Sequence, residues 1–148
     1  MINILAISDS DKHFWSAIQE YEKRLWKLIN IQNIKPYKWE NSDFVVKKDT
    51  ENIIEILTKK FWSYFKVLLS KDGKSLDTFW IQNIVKTHPN IVFIIWWPYG
   101  LDEKMLEPQI NEKISFGKIT LPHGLAKLVL VEQLYRSWTI HTGKSYHY

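Results

Sequence analysis

The chain has 148 residues, of which 45% are hydrophobic and 24% charged, with no cysteine and a net charge of +4. That size suits one soluble domain with a single core rather than two domains. Zero cysteines exclude disulfides, thiolate metal sites and a cysteine nucleophile, and a 15% aromatic content excludes a chain that does not fold. The longest apolar run, Ile91 to Trp97, falls far short of the roughly 20 residues a spanning helix needs. The start, Met1 to Ile7, is apolar but lacks a basic leader and breaks into Ser8-Asp9-Ser10-Asp11-Lys12, so no secretory signal is read there. The expectation is a cytoplasmic protein with no membrane and no metal.

The elements alternate, which argues for an α/β layer fold on a parallel sheet. Ile2 to Ile7 reads as a buried first strand. Asp11 caps a helix to Leu25, with Phe14, Ile18, Tyr21 and Leu25 on one face. Ile29 to Ile34 is a second strand, and Asn41 to Lys48 reads as a polar loop before a helix starting at Asp49 or Thr50. Phe65 to Leu69 is a third strand, closed by a turn at Lys71-Asp72-Gly73-Lys74. Asp77 caps a third helix to Thr87. Ile91 to Ile95, β-branched and uncharged, belongs in the centre of the sheet. Asp102 to Leu106 suits a short helix, and Lys118 to Leu121 a short last strand.

Pro122 then opens a long helix from Gly124 to His141 that is apolar nearly all round. Such a helix is buried on more than one side. In so small a domain this predicts a second subunit as cover, hence a homodimer. The alternative is a helix sandwiched within one chain.

Two features of composition are informative. From Phe116 to the end, Lys118, Lys127, Arg136 and Lys144 oppose Glu132 alone, and His123, His141 and His147 lie in the same stretch. This basic tail is compatible with a nucleic acid and equally with a solvated face. Tryptophan occurs 8 times and glycine only 5, whereas glycine usually makes up about 7% of a chain.

No phosphate-binding loop, nucleophile elbow or zinc-binding helix motif is present. In open α/β sheets ligands bind outside the carboxyl ends of the strands. Three such ends stand out: Leu69 before Lys71-Asp72-Gly73, Ile95 before Trp96-Trp97-Pro98-Tyr99-Gly100, and Thr120 before Leu121-Pro122-His123.

Leu121-Pro122-His123, then Val131-Glu132-Gln133-Leu134-Tyr135-Arg136, then Gly143-Lys144-Ser145-Tyr146-His147 resemble the carboxyl end of the ribosomal RNA large subunit methyltransferase H family. Ile4-Leu5-Ala6-Ile7, Trp15 and Glu20-Tyr21-Glu22-Lys23-Arg24-Leu25 extend the resemblance to the amino end, so it covers the whole chain (1–148). It implies a SPOUT-class α/β fold: a parallel sheet flanked by helices, with a carboxyl-terminal trefoil knot, one of the rare exceptions to unknotted topology. It implies a homodimer that uses S-adenosyl-L-methionine to methylate N3 of a pseudouridine in 23S rRNA on the assembled ribosome. The family's cofactor pocket falls on Leu69, Trp96, Trp97, Gly100, Lys118, Ile119, Thr120, Leu121 and Pro122. Candidate catalytic residues are His123 and His147, as bases that titrate near neutrality, Arg136 and Lys127 for phosphate or a developing anion, and Tyr146, to stack on the base.

The chain departs from the family's pattern in informative places. Tyr148 stands where the family has a basic residue, and Lys127 where arginine is usual, which removes bidentate contact. Trp96-Trp97 replaces Gly-Gly, and glycine is what lets a backbone approach a ligand closely. Two indoles there are expected to crowd the pocket. The rival to an enzyme is therefore a non-catalytic ribosome-binding homologue with a blocked pocket. Trp26 and Trp80 also align with glycine. Repetition of one rare substitution points to a gene in which UGA means glycine, read here as tryptophan; Trp39 and Trp62 complete such a set.

Overall fold

The computed structural model describes residues 1–8, 12–96 and 100–147. Five strands form one sheet, all neighbours parallel: β1 (Ile2–Ile7), β2 (Ile29–Ile34), β3 (Phe65–Ser75), β4 (Ile91–Ile95) and β5 (Glu112–Ser115), in the order β2-β1-β4-β3-β5. β4 is the middle strand and every one of its residues is buried, as its uncharged β-branched sequence requires. The helices are α1 (Trp15–Arg24), α2 (Ser42–Lys60), α3 (Thr78–Thr87), α4 (Glu103–Leu106, followed by one 3-10 turn) and α5 (His123–Thr142).

Strand alternation divides the core in two. Ile4, Val67, Ile91 and Phe93 pack with Leu25 of the α1 end, Ile81 of α3 and Leu130 and Leu134 of α5. Leu5, Leu68, Val92 and Ile94 pack on the other face with Ile53 and Leu57 of α2 and Leu106 of α4. A parallel sheet covered on both faces is the reason its strands read as continuous apolar runs.

Four elements differ from the sequence reading. The helix expected from Asp49 begins at Ser42, because the Asn41 side chain caps it by accepting from the Phe44 amide at 3.1 Å. The segment that read as a polar loop is thus two helical turns, exposed on one side and burying Val45 on the other. Asp11 lies outside the described residues, and the α1 start at Phe14 has no side-chain cap. The last strand is Glu112–Ser115, not Lys118 to Leu121, which is irregular. β3 also continues through the expected turn, with a register shift between Leu69 and Lys74 against Ile114 of β5. Gly73 sits in that irregularity, where a Cβ would collide with the Ile114 backbone. Only glycine permits this close approach.

α5 lies on the sheet against α1 and α3, burying Ala126, Leu130, Val131 and Leu134 among others. One chain therefore supplies much of the cover expected of a partner. Leu125, Leu128, Val129 and Ile140 remain half-buried along the outer side. α5 ends at Gly143, left-handed at φ 71°, as helix C-termini favour.

Candidate functional site

The carboxyl ends of β3, β4 and β5 open onto a cavity of about 520 Å³. Parallel topology creates it: strands that end without a hairpin leave a crevice between their loops. Leu69, Trp96, Ile119, Thr120, Leu121 and Pro122, all expected from sequence, line it, and His123 stands on its rim at the start of α5. Lys118 is exposed beside it without lining it. Gly100 lies behind the Trp96 indole, in an adjoining depression. At φ +92° it takes a backbone conformation that favours glycine, and a Cβ there would meet the indole at 3.3 Å. Trp97 lies outside the described residues.

The cavity also uses residues that the sequence reading missed. Ser70 and Lys71 come from the β3 extension, Ser115 to Gly117 from the end of β5, and Ala126 from the first turns of α5. Their signal was Ser-Phe-Gly after Glu112 to Ser115, legible only once that strand is placed correctly. Gly117, at φ +119°, is held by Ser115, whose hydroxyl donates to the Gly117 carbonyl at 2.7 Å and accepts from its amide at 3.1 Å. Ser70 donates to Glu103 at 2.6 Å, and Lys113 pairs with the other oxygen of that carboxylate at 3.4 Å. These bonds fix the loop backbone around the opening.

The lining is mostly aliphatic, with three hydroxyls and no carboxylate. Such a lining fits a nucleoside: apolar side chains suit the faces of a base, and backbone groups suit its edges. The Trp96 indole forms one wall, and the cavity is open with the indole in place. Among the described residues its Nε1 is buried without a hydrogen-bond partner.

A second cluster lies further along α5, on Glu132 and Arg136, where the chain after Gly143 packs back against the helix. Glu132 accepts from Arg136 Nε at 3.0 Å and Nη2 at 2.7 Å, and from the Tyr146 hydroxyl at 3.1 Å. The Tyr146 and Tyr21 hydroxyls are 3.1 Å apart, and its ring lies edge-on to Tyr135 at 4.7 Å, with the Arg136 guanidinium 4.8 Å from its centre. His147 meets Arg136 Nη1 at 3.2 Å through Nδ1 and Phe79 edge-on at 5.5 Å. Burial, then the bonds to Tyr21 and Glu132, push the Tyr146 phenol well above its ordinary range.

The four expected catalytic residues are thus not together in one chain. Arg136, Tyr146 and His147 meet one another, but His123 does not join them. Thirteen residues of helix, at about 1.5 Å each, put Arg136 roughly 20 Å along the axis from His123. Lys127, expected to hold phosphate, is 1% exposed and donates to Asn33 at 2.6 Å. It stands near Glu22, whose carboxyl is raised by burial and lowered by Lys127. It ties α5 to β2 and α1 and presents no charge to an RNA.

Among the described residues no three histidines or carboxylates gather as a metal would require, and no helix is long and apolar enough to cross a membrane.

Residues 1–147 match a family model described as "Predicted SPOUT methyltransferase". The chain is 34% identical to the ribosomal RNA large subunit methyltransferase H of Pseudothermotoga lettingae, covering 99% of each chain. It is 33% identical to the protein of that name from Mycoplasmopsis pulmonis and 34% identical to that from Mycoplasmopsis synoviae, with 99% of this chain and 98% of each relative covered.

Proposed function

Because the chain belongs to the SPOUT methyltransferase family, we propose that it methylates N3 of a pseudouridine in 23S rRNA on the assembled ribosome, in the cytoplasm, as a homodimer. The names of its relatives support an rRNA methyltransferase. One observation carries the reading further: the cavity suited to a nucleoside lies at the amino end of α5, while Tyr146 and His147 are held on Arg136, roughly 20 Å further along the helix. A rigid helix cannot bring them together. A second copy can, by laying its tail over the first copy's cavity. The half-buried Leu125, Leu128 and Val129 beside His123 supply apolar surface for that contact.

S-adenosyl-L-methionine, when bound, supplies an electrophilic methyl on a sulfonium. Leu69, Ile119 and Leu121 would flank its adenine, and the backbone from Phe116 to Thr120 would bond its edges. The protein's work is to hold the pseudouridine N3 in line and promote loss of its proton. The methyl would go to N3 with the sulfonium as leaving group, and the protein's part is to take the N3 proton onto a base. His123, on the cavity rim, is placed for that base. The partner's tail brings cationic and hydrogen-bonding groups to the base as negative charge develops.

The decisive experiment is calorimetric titration of S-adenosyl-L-methionine into the chain as it stands and into a Trp96→Gly/Trp97→Gly variant. The open cavity predicts binding by both, tighter in the variant. Failure of both to bind would overturn the enzyme in favour of a non-catalytic ribosome-binding protein.

A further inference from the structure

The contact between Arg136 and His147 has a direction. A guanidinium carries five N–H donors and no acceptor, so the 3.2 Å contact between Arg136 Nη1 and His147 Nδ1 is a bond in which Arg136 donates. Nδ1 must then offer its lone pair, and in the neutral ring the proton resides on Nε2. Arg136 is itself not loose. Its Nε and Nη2 are forked onto one Glu132 oxygen at 3.0 and 2.7 Å, and the other oxygen accepts from Gln133 at 2.7 Å. Phe79 meets the imidazole at 5.5 Å and 84°, so the ring plane is held as well. His147 is exposed, and among the described residues its Nε2 meets no partner.

We infer that the Glu132–Arg136 pair is a positioning device that fixes His147 as its Nε2–H tautomer, so that the tail offers the target base a hydrogen-bond donor rather than a proton acceptor. The consequence for chemistry rests on the methyl transfer proposed above; the tautomer does not. With Nδ1 engaged and Nε2 protonated, neutral His147 has no lone pair to take the N3 proton. It is instead suited to donate to a uracil carbonyl oxygen, where negative charge gathers as N3 loses its proton. Proton acceptance then falls to a group at the cavity, and the two histidines that look equivalent in the sequence have opposite roles.

The test has a spectroscopic arm and a kinetic arm, both on the full chain. Nitrogen-15 spectra of the imidazoles at about pH 8.5, where an ordinary ring is neutral, identify each tautomer, and His147→Gln assigns the His147 signals by their loss. The expected result is a protonated Nε2 and a bare Nδ1 in the parent, relaxing toward a mixture of tautomers in Arg136→Met and, to a smaller extent, in Glu132→Gln. A protonated Nδ1 in the parent, or a spectrum unchanged in Arg136→Met, overturns the inference. In methyl transfer to ribosomes, His147→Gln places an amide N–H close to the position of Nε2. It should stay within about tenfold of the parent, one hydrogen bond's worth of imperfect geometry, while His147→Ala loses far more. Equal loss in both variants overturns the donor role and leaves methyl transfer standing. No transfer by the parent overturns the proposed function and the donor role together, and the spectra still decide the tautomer.

Discussion

The two ends of α5 are built in opposite ways. At the amino end, Pro122 and His123 emerge from an irregular, largely exposed loop around a cavity, and Ile119, a large apolar side chain, is 72% exposed at its mouth. At the carboxyl end, Tyr146 and His147 are held against Glu132, Arg136, Tyr135, Tyr21 and Phe79 by hydrogen bonds and ring contacts. One end has the larger cavity and few fixed polar groups; the other has fixed polar groups and, beside Leu134, Ser137, Trp138 and His141, a smaller cavity of about 370 Å³. In the proposed enzyme the open end is the one that would take a ligand, and the ordered end could meet another molecule with little further loss of side-chain entropy.

The division breaks most visibly if the two ends are disabled in different chains. Ala126→Phe fills the cavity, and Arg136→Gln dismantles the tail cluster. Each variant alone should lose at least about a hundredfold in methyl transfer, the first with loss of cofactor affinity and the second with affinity retained. An equimolar mixture, after subunit exchange, should recover about a quarter of the parent rate, because half the dimers are mixed and each mixed dimer has one intact site of two. A mixture as inactive as its components would show that both ends serve one chain, or that no dimer forms.

A smaller effect isolates the ordered end. Tyr146→Phe removes a hydroxyl shared by Tyr21 and Glu132 and should cost about 1 kcal/mol near neutrality. The pH dependence has a definite sign. The folded phenol is raised above its unfolded value of about 10, so its stabilising contribution is complete below about pH 10. It is lost as the pH climbs toward the folded value, because the unfolded chain releases the proton first. Urea denaturation of parent and variant should therefore give a stability difference that is flat to about pH 10 and shrinks above it. A constant difference through the alkaline range would mean that the Tyr146 phenol is not shifted.

The same contrast marks where the sequence was legible. Continuous apolar runs at Ile2 to Ile7 and Ile91 to Ile95 placed both strands, because strands covered on two faces carry a nearly unbroken apolar signal. Asp77 and Asp102 located their helices through their own side chains, which accept from Trp80 and Met105 amides. Glu112 to Ser115 carried no such signal: it is a four-residue edge strand with two charged residues, and its pairing with β3 beyond Leu69 depends on Gly73. The cavity residues behind it, Ser115 to Gly117, were hidden for the same reason. The family resemblance also put His123, Arg136, Tyr146 and His147 in one set, and a motif does not show that a straight helix holds the first about 20 Å from the second. The buried Lys127 was misread because a lone basic residue in a basic stretch looks solvated. Only packing shows that Asn33 and Glu22 have claimed it.

The smallest expected effect concerns the tryptophans. Only Trp138 falls in the tail half beyond Trp97; the other seven lie before it, among them the cavity wall. Trp26 and Trp62 directly follow the residues that cap α1 and α2, Leu25 and Phe61, but neither takes the left-handed conformation for which helices favour glycine there; the positive φ of 68° falls on Lys27. Trp26 is 72% and Trp62 76% exposed, so neither ring buries enough surface to matter to the core. A cation, Lys27 Nζ at 4.2 Å, covers Trp26. Trp26→Gly and Trp62→Gly should therefore each change stability by no more than about 0.5 kcal/mol in either direction, measured by thermal denaturation. If the tryptophans are glycine codons misread, the codons at 26, 80, 96 and 97 are UGA. Any other codon there makes the indoles native, and Trp96 then belongs to the cavity's chemistry rather than to an accident of decoding. A loss well beyond 0.5 kcal/mol in either single variant would argue the same way from the protein side, since no glycine site should be stabilised by a ring that stands in solvent.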